Sequence, residues 1–301
     1  MGRTRPGPLG FRIAAIASQG VDWPKLDETW ALGGELPVFD AGWLSDHLSD
    51  ASRERGGGAF EALTTASALA RRVPGKWVGI AVVANTFRHP AMLAKAATVI
   101  DNVTGGRFIL GLGAGWHEGE HDAFGIPLPP MQERFDRYES SLKVLTALFS
   151  AAARTEPGVT LEDRYYPLRG AMNVPPPLRP EGPAIWLGGQ RRRGIELAAR
   201  FAEGWPLPGN RPGDLPYFLE KRDALRRALA AAGRDPDEFT FAGQITCGTT
   251  ADQRAEALSV ARAFVRAGAG HLMLGIPGSG GPDALESMAR EVAEPLMAEV
   301  V

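Results

Sequence analysis

The residues most able to do chemistry begin with an adjacent acid and imidazole. Asp46 and His47 close the run Trp43-Leu44-Ser45-Asp46-His47, at the end of a short apolar stretch. An imidazole titrates near neutrality, so His47 is a candidate to give or take a proton, and Asp46 is a candidate to orient it or the site by hydrogen bonding. A second pattern, His117-Glu118-Gly119-Glu120-His121, has the spacing that puts two histidines on one helix face around a zinc ion. It follows Gly111-Leu112-Gly113-Ala114-Gly115-Trp116 directly, Gly119 falls inside the turn, and Phe124 and Pro127 stand where an extended motif needs glycine and a third histidine. Zinc is therefore a remote reading, and the expected metal is none.

The glycines at 111, 113 and 115 do not complete a dinucleotide fingerprint, because Trp116 occupies the third glycine's place and no partner acid follows on a later strand. They fit better as a strand ending in a turn where a flat ligand can approach the backbone. Ile185-Trp186-Leu187-Gly188-Gly189-Gln190 is a second strand running into glycines, followed by Arg191, Arg192 and Arg193 and a helical segment. A helix N-terminus with arginines beside it suits an anion such as phosphate. Cys247, the one cysteine, lies in a predicted strand, and no G-x-S-x-G elbow is present. With neither an activated nucleophile nor a metal set, the chemistry points to a bound organic cofactor.

These positions need a scaffold that gathers loop residues. Apolar runs near 11–17, 38–44, 77–83, 107–112, 184–187, 203–207, 239–246 and 271–275 read as strands. Helical segments follow near 24–35, 59–72, 90–103, 131–149, 191–202, 214–232, 251–267 and 282–298. Eight such units predict an α/β fold, a closed (β/α)8 TIM-like barrel forming one domain over 1–301, whose active groups sit at the carboxyl ends of the strands. The stripe Phe135, Tyr138, Leu142, Leu145 and Phe149 reads as core packing. Residues 151–183, rich in Pro and Gly, form an insertion between the fourth helix and the fifth strand. With the 48–58 loop, this insertion is expected to line the substrate pocket.

Composition narrows the function classes. Among 301 residues, 33 basic and 35 acidic side chains give a formal charge of −2, which argues against a nucleic-acid partner. Arginine dominates the basic set, and G+C-rich coding accounts for most of that bias. No run approaches the ~18 apolar residues of a membrane span, and the N-terminus lacks a signal-peptide pattern. The expectation is a cytoplasmic protein acting on a small-molecule substrate.

Three segments resemble the bacterial luciferase-like superfamily of flavin monooxygenases and deazaflavin oxidoreductases: WLSDHL (43–48), NTFRHPAMLAKAATVIDNVTGGRFILGLGAGWHEGEHDAFG (85–125) and IWLGGQRRRGIELAARFAEGW (185–205). The resemblance implies a TIM-like barrel with an insertion, binding coenzyme F420 or FMN at its carboxyl end. It implies Asp46 and His47 facing the cofactor ring, Ala81-Val82 as a third-strand bulge that props it, often through a non-prolyl cis peptide, and Ala84 nearby. Gly113, Ala114, Gly115 and Trp116 match the turn after the fourth strand. Gly188, Gly189 and Gln190 match the phosphate turn, with Arg191 beside them. Glu203-Gly204-Trp205-Pro206 and the three arginines depart from the usual pattern, and the arginines suit the longer anionic tail of F420. The implied activity is F420-dependent hydride transfer with a small organic substrate, the alternative being an FMN-dependent monooxygenase. A ligand-binding barrel without catalysis is the reading from another class. A homodimer and a flavin or F420 reductase partner are the assembly expectations that come with the family.

Overall fold

The computed structural model describes residues 12–16, 20–49, 58–276 and 280–300. The barrel strands are β1 (Arg12–Ile16), β2 (Ala41–Leu44), β3 (Trp77–Ala84) and β4 (Phe108–Gly113), then β7 (Ala184–Leu187), β8 (Gly204–Pro206), β9 (Thr240–Thr246) and β10 (His271–Gly275), with β5 (Val159–Leu161) and β6 (Leu168–Ala171) outside it. They close in the order β1-β10-β9-β8-β7-β4-β3-β2, and every pair around the ring is parallel. Parallel strands are covered on both faces, which is why β4 is buried at every position of Phe-Ile-Leu-Gly-Leu-Gly. This is the (β/α)8 barrel expected from the alternating runs, and even the short sixth strand falls at Gly204–Pro206.

The helices are α1 (Trp23–Glu35), α2 (Ala62–Leu69), α3 (Pro90–Val103), α4 (Glu118–Phe124), α5 (Met131–Phe149), α6 (Arg192–Phe201), α7 (Leu215–Ala231), α8 (Ala251–Arg266), α9 (Pro282–Met288) and α10 (Glu294–Val300). Local chemistry sets their ends. Proline opens α1, α3, α7 and α9, where its missing N–H costs nothing. Thr250 and Gln253 form a reciprocal capping box on α8. The stripe on α5 packs as read, with Tyr138, Leu142, Leu145 and Phe149 buried.

Four details differ from the sequence reading. The helix expected over 59–72 starts at Ala62, because the Glu61 carboxylate accepts the Thr64 N–H and caps it, and it ends as a 3-10 turn over Ala70–Arg72. The last helix is broken by a π turn at Ala289–Ala293. The insertion holds the antiparallel β5–β6 hairpin. It is pinned along the outer helices, Asp101 accepting Leu178 N–H and Arg179 N–H and Asn173 reaching Thr98, and approaches the carboxyl end where Tyr166 stands 5.1 Å from His89. Of the 48–58 loop, residues 50–57 lie outside the described residues, as do positions 11 and 17 of the first expected strand. Among the described residues no helix is long and apolar enough to cross a membrane.

Two tryptophans pack against each other among the buried side chains of the barrel interior. Trp43 on β2 and Trp186 on β7 meet with ring centroids 5.2 Å apart, and the Trp43 indole donates to His271 Nε2 at 3.1 Å. Each ring lies over a glycine of the neighbouring strand. A methyl group at Gly79 would stand 2.6 Å from the Trp43 ring, and one at Gly204 would stand 2.5 Å from Trp186. His271 is fully enclosed, and burial, then the Arg12 charge, push its pKa down to about 3.

Two outcomes follow. Gly79→Ala overpacks the interior and lowers unfolding free energy by about 1–3 kcal/mol in urea titrations, while Gly270→Ala, where nothing lies within 4 Å, stays within about 0.5 kcal/mol of the parent. The second concerns pH. In the unfolded chain His271 takes its proton near 6.5 and in the folded chain only near 3. Its contribution is therefore complete above pH 6.5 and lost as pH falls toward 3, by up to ~1.4 kcal/mol per pH unit. Between pH 7 and 4.5 the parent should lose roughly 2 kcal/mol more than His271→Gln; equal losses would show that this imidazole carries no such linkage.

Candidate active site

The carboxyl ends of β2, β3, β4 and β7 bring most of the expected site residues into one cluster. Just beyond β2, Asp46 and His47 turn to different partners. The Asp46 carboxylate is buried and accepts Arg88 Nη1 at 2.6 Å, Arg88 Nη2 at 2.7 Å and the Ala84 N–H at 2.9 Å. Arg88 also binds Glu61, the cap of α2. Burial opposes the Arg88 charge, but the Asp46 hydrogen bonds and charge, then Glu61, outweigh it and hold the guanidinium protonated. Asp46 thus ties the β2 loop to the end of β3, with its oxygens spent on that work.

His47 turns instead to Glu120. Its Nδ1 lies 2.9 Å from Glu120 Oε2, while Glu120 Oε1 accepts the N–H groups of Leu48 at 2.6 Å and Ser49 at 3.0 Å. The Glu120 side chain is almost wholly buried. Burial raises its pKa, but the hydrogen bond from His47, those from the two backbone amides and the His47 charge together hold it below the usual carboxylate range. Among the described residues, His47 Nε2 makes no hydrogen bond. The ring is a quarter exposed, edge-on to Trp116 at 6.2 Å and to His117 at 6.1 Å.

The histidine-rich motif therefore serves another purpose than the zinc spacing suggests. His117 caps α4, its Nδ1 accepting the Glu120 N–H at 3.1 Å. His121 is buried, with Nδ1 donating to the His117 carbonyl at 2.7 Å and Nε2 2.7 Å from the Thr86 hydroxyl. Both ring nitrogens of His121 are committed within the protein. Cys247 is buried as well, which pushes its thiol up to about 12 and leaves it inert.

The third strand carries a cis peptide between Ala81 and Val82, and the β3–β4 ladder shifts register between Ile80 and Val83. The Val82 side chain lies where glycines make room for it. A methyl at Gly113 would come within 2.8 Å of Val82 Cγ2, one at Gly188 within 3.3 Å of Cγ2, and one at Gly111 within 3.2 Å of Cγ1. Val82, Gly113 and Gly188 thus form one shelf spanning β3, β4 and β7. Ala114 continues from it, and Gly115 turns the chain at φ 86°, where a side chain would strike Thr86. Arg134 fixes that turn by donating to the Gly115 carbonyl at 2.9 Å. Trp116 follows, 65% exposed.

Gly188 is held by its N–H to the Leu112 carbonyl at 2.9 Å, and the Tyr138 hydroxyl donates to the same carbonyl at 2.7 Å. Gly189, at φ 127°, lets the turn approach Gly194 of α6, and the Trp205 indole donates to its carbonyl at 3.2 Å. Gln190 and Arg191 lead into α6, whose N-terminus has no side-chain cap. Of the three arginines, Arg192 pairs with Glu196 at 2.8 Å, and Arg193 with Asp136 at 2.6 Å and Glu139 at 3.4 Å. Arg191 alone of the three makes no ion pair among the described residues, so one arginine, rather than three, is free for an anion there. Glu203, a departure from the family pattern, pairs with Arg179 at 3.1 Å.

The sequence reading found the shelf, the turn and the Asp-His pair, and missed Glu120, Arg88, Glu61, Arg134 and Tyr138 as their supports. The NTFRHP segment that contains Arg88 and the motif that contains Glu120 were both visible; their pairing across 42 and 73 residues was not.

Comparison with known proteins places the fold and the family. The chain is 32% identical over 259 residues to the phthiodiolone/phenolphthiodiolone dimycocerosates ketoreductase of Mycobacterium tuberculosis, covering 79% of this chain and 64% of that protein. It is 31% identical over 233 residues to the F420-dependent glucose-6-phosphate dehydrogenase of Microbacterium testaceum, covering 77% of this chain and 66% of that protein. The chain thus spans a little under two thirds of the length of each of these relatives. An F420-dependent secondary alcohol dehydrogenase, solved in complex with an F420-acetone adduct, shares the fold with a TM-score of 0.80 at 18% identity, over 96% of this chain and 99% of that one. The luciferase-like monooxygenase family matches residues 29–297, from within α1 through β2 to β10, and the chain belongs to that family.

Proposed function

We propose that this chain is an oxidoreductase that binds coenzyme F420 at the carboxyl end of its barrel and exchanges a hydride with a small organic carbonyl or alcohol. The observation that carries this reading is the half-open His47 imidazole, backed by Glu120, at the same barrel end as the Val82–Gly113–Gly188 shelf. Support also comes from the ketoreductase and dehydrogenase relatives.

The residues fit the cofactor's two chemical parts. A flat ring needs a surface free of side chains, and Gly113 and Gly188 leave Val82 as the protruding group. A phosphate needs N–H donors and positive charge, which the uncapped start of α6 and Arg191 supply. When bound, the deazaflavin gives or accepts a hydride at C5. The protein's part is the proton: His47 Nε2 gives one to the carbonyl oxygen in reduction, or takes one from the hydroxyl in oxidation. Asp46 acts as a brace, since its carboxylate is saturated by Arg88 and Ala84.

Two measurements test this. In fluorescence titrations F420 should bind more tightly than FMN by about tenfold or more, and Gly113→Ala, by pushing Val82 into the shelf, should weaken F420 by a similar factor. Tighter FMN binding would favour the monooxygenase alternative. His47→Ala should lower kcat by about 10²–10⁴-fold while F420 affinity changes little. Asp46→Ala should instead destabilise the fold by about 3–5 kcal/mol, because it strips a buried guanidinium of its main partner. Unchanged turnover in His47→Ala would remove His47 from the reaction.

A further inference from the structure

We propose that Glu120 is a positioning residue that holds the His47 imidazole with its proton on Nδ1, so that Nε2 is the nitrogen left to serve the substrate. The inference rests on the reading of His47 as the proton-handling group, and it assigns a function to the one acid of the HEGEH motif that turns inward to His47.

The geometry leaves Glu120 little freedom. It stands on the first turn of α4, and His117 fixes that turn by accepting the Glu120 N–H. Its Oε1 is occupied by the amides of Leu48 and Ser49, which leaves Oε2 to face His47 Nδ1 at 2.9 Å. An ionised carboxylate accepts hydrogen bonds and donates none. The amides and the imidazole all stabilise the ionised form, and the carboxyl is held below its usual range despite burial. Nδ1 must therefore be the protonated nitrogen of a neutral His47 ring.

The other groups near the ring leave this assignment intact. His117 lies 6.1 Å away ring to ring, and its Nδ1 is already an acceptor for the Glu120 amide. Trp116 presents an uncharged indole. Asp46 and Arg88, on the neighbouring residue and the β3 loop, neutralise each other, with Glu61 on the far side of the guanidinium. Among the described residues, Glu120 is the charge that faces His47 directly.

The isosteric variant Glu120→Gln reverses the hydrogen bond. A glutamine oxygen can still accept the Leu48 and Ser49 amides, but its NH2 group then faces Nδ1, which must accept, and the proton moves to Nε2. Nitrogen-15 NMR of the histidine rings in the folded, cofactor-free protein reads the tautomer directly, with His47→Gln used to assign the signals. We expect the Nδ1–H form of neutral His47 to exceed the Nε2–H form by roughly tenfold or more in the parent, as a hydrogen bond to a charged acceptor allows. The ratio should invert in Glu120→Gln and remain at the parent value in Glu118→Gln, whose side chain is exposed on the same helix. An Nε2–H tautomer in the parent overturns the proposal without any variant, and an unchanged ratio in folded Glu120→Gln overturns it as well. Because no cofactor or substrate is present, these outcomes are independent of the F420 titration.

Discussion

A tryptophan inside a parallel barrel can lie flat only if the strand beneath it has no side chain to offer, and this barrel meets that condition twice. Trp43 covers Gly79 and Trp186 covers Gly204. The two tryptophan-bearing strands are also the strands that deliver the site. Trp43 lies three residues before Asp46, and Trp186 two before Gly188. Locking each ring fixes the exit direction of its strand, because rigid rings in a close-packed interior tolerate little rotation or translation. Gly204 allows the same for β8, whose next residue, Trp205, braces the Gly189 carbonyl. The interior packing and the shelf above it are thus one arrangement.

Above this floor, two buried carboxylates convert loops into fixed walls. Asp46 and Glu120 each collect three donors from a different segment: Asp46 takes the Arg88 fork and the Ala84 amide, and Glu120, on α4, takes His47 and the Leu48 and Ser49 amides of the β2 loop. The β2 loop is thereby tied on one side to β3 and on the other to α4. Buried charges of this kind contribute little net stability over an apolar substitute, but leaving one unpaired is costly. Their advantage is directional, since each carboxylate dictates which atom of its partner faces it.

Much of this was legible in the sequence because it depends on local patterns. Strand runs, proline-opened helices, glycine turns and the Asp46-His47 pair are all short-range signals, and the barrel follows from their repetition. Long-range pairing was the hidden part. Arg192 and Glu196 stand at helical i,i+4 spacing, but nothing near Arg193 shows that Asp136 and Glu139, from α5, claim it. The histidine motif was ambiguous for the same reason: helical spacing put His117 and His121 on one face, but did not show that His121 meets Thr86 and that Glu120 meets His47. The insertion, poor in periodicity, showed its position but not its hairpin, which depends on pairing between strands of three and four residues.

Asp46 and His47 are neighbours just beyond the end of β2, yet their side chains meet opposite chemistry. One faces β3 and meets a guanidinium; the other faces α4 and meets a carboxylate. The Asp46 carboxylate is engaged at both oxygens by the arginine fork and an amide, which makes it a brace between segments. An imidazole held by a carboxylate through one nitrogen keeps the other nitrogen for exchange. The register of β2, with Trp43 over Gly79, sets where the chain leaves the strand and so which of the two adjacent residues reaches Glu120.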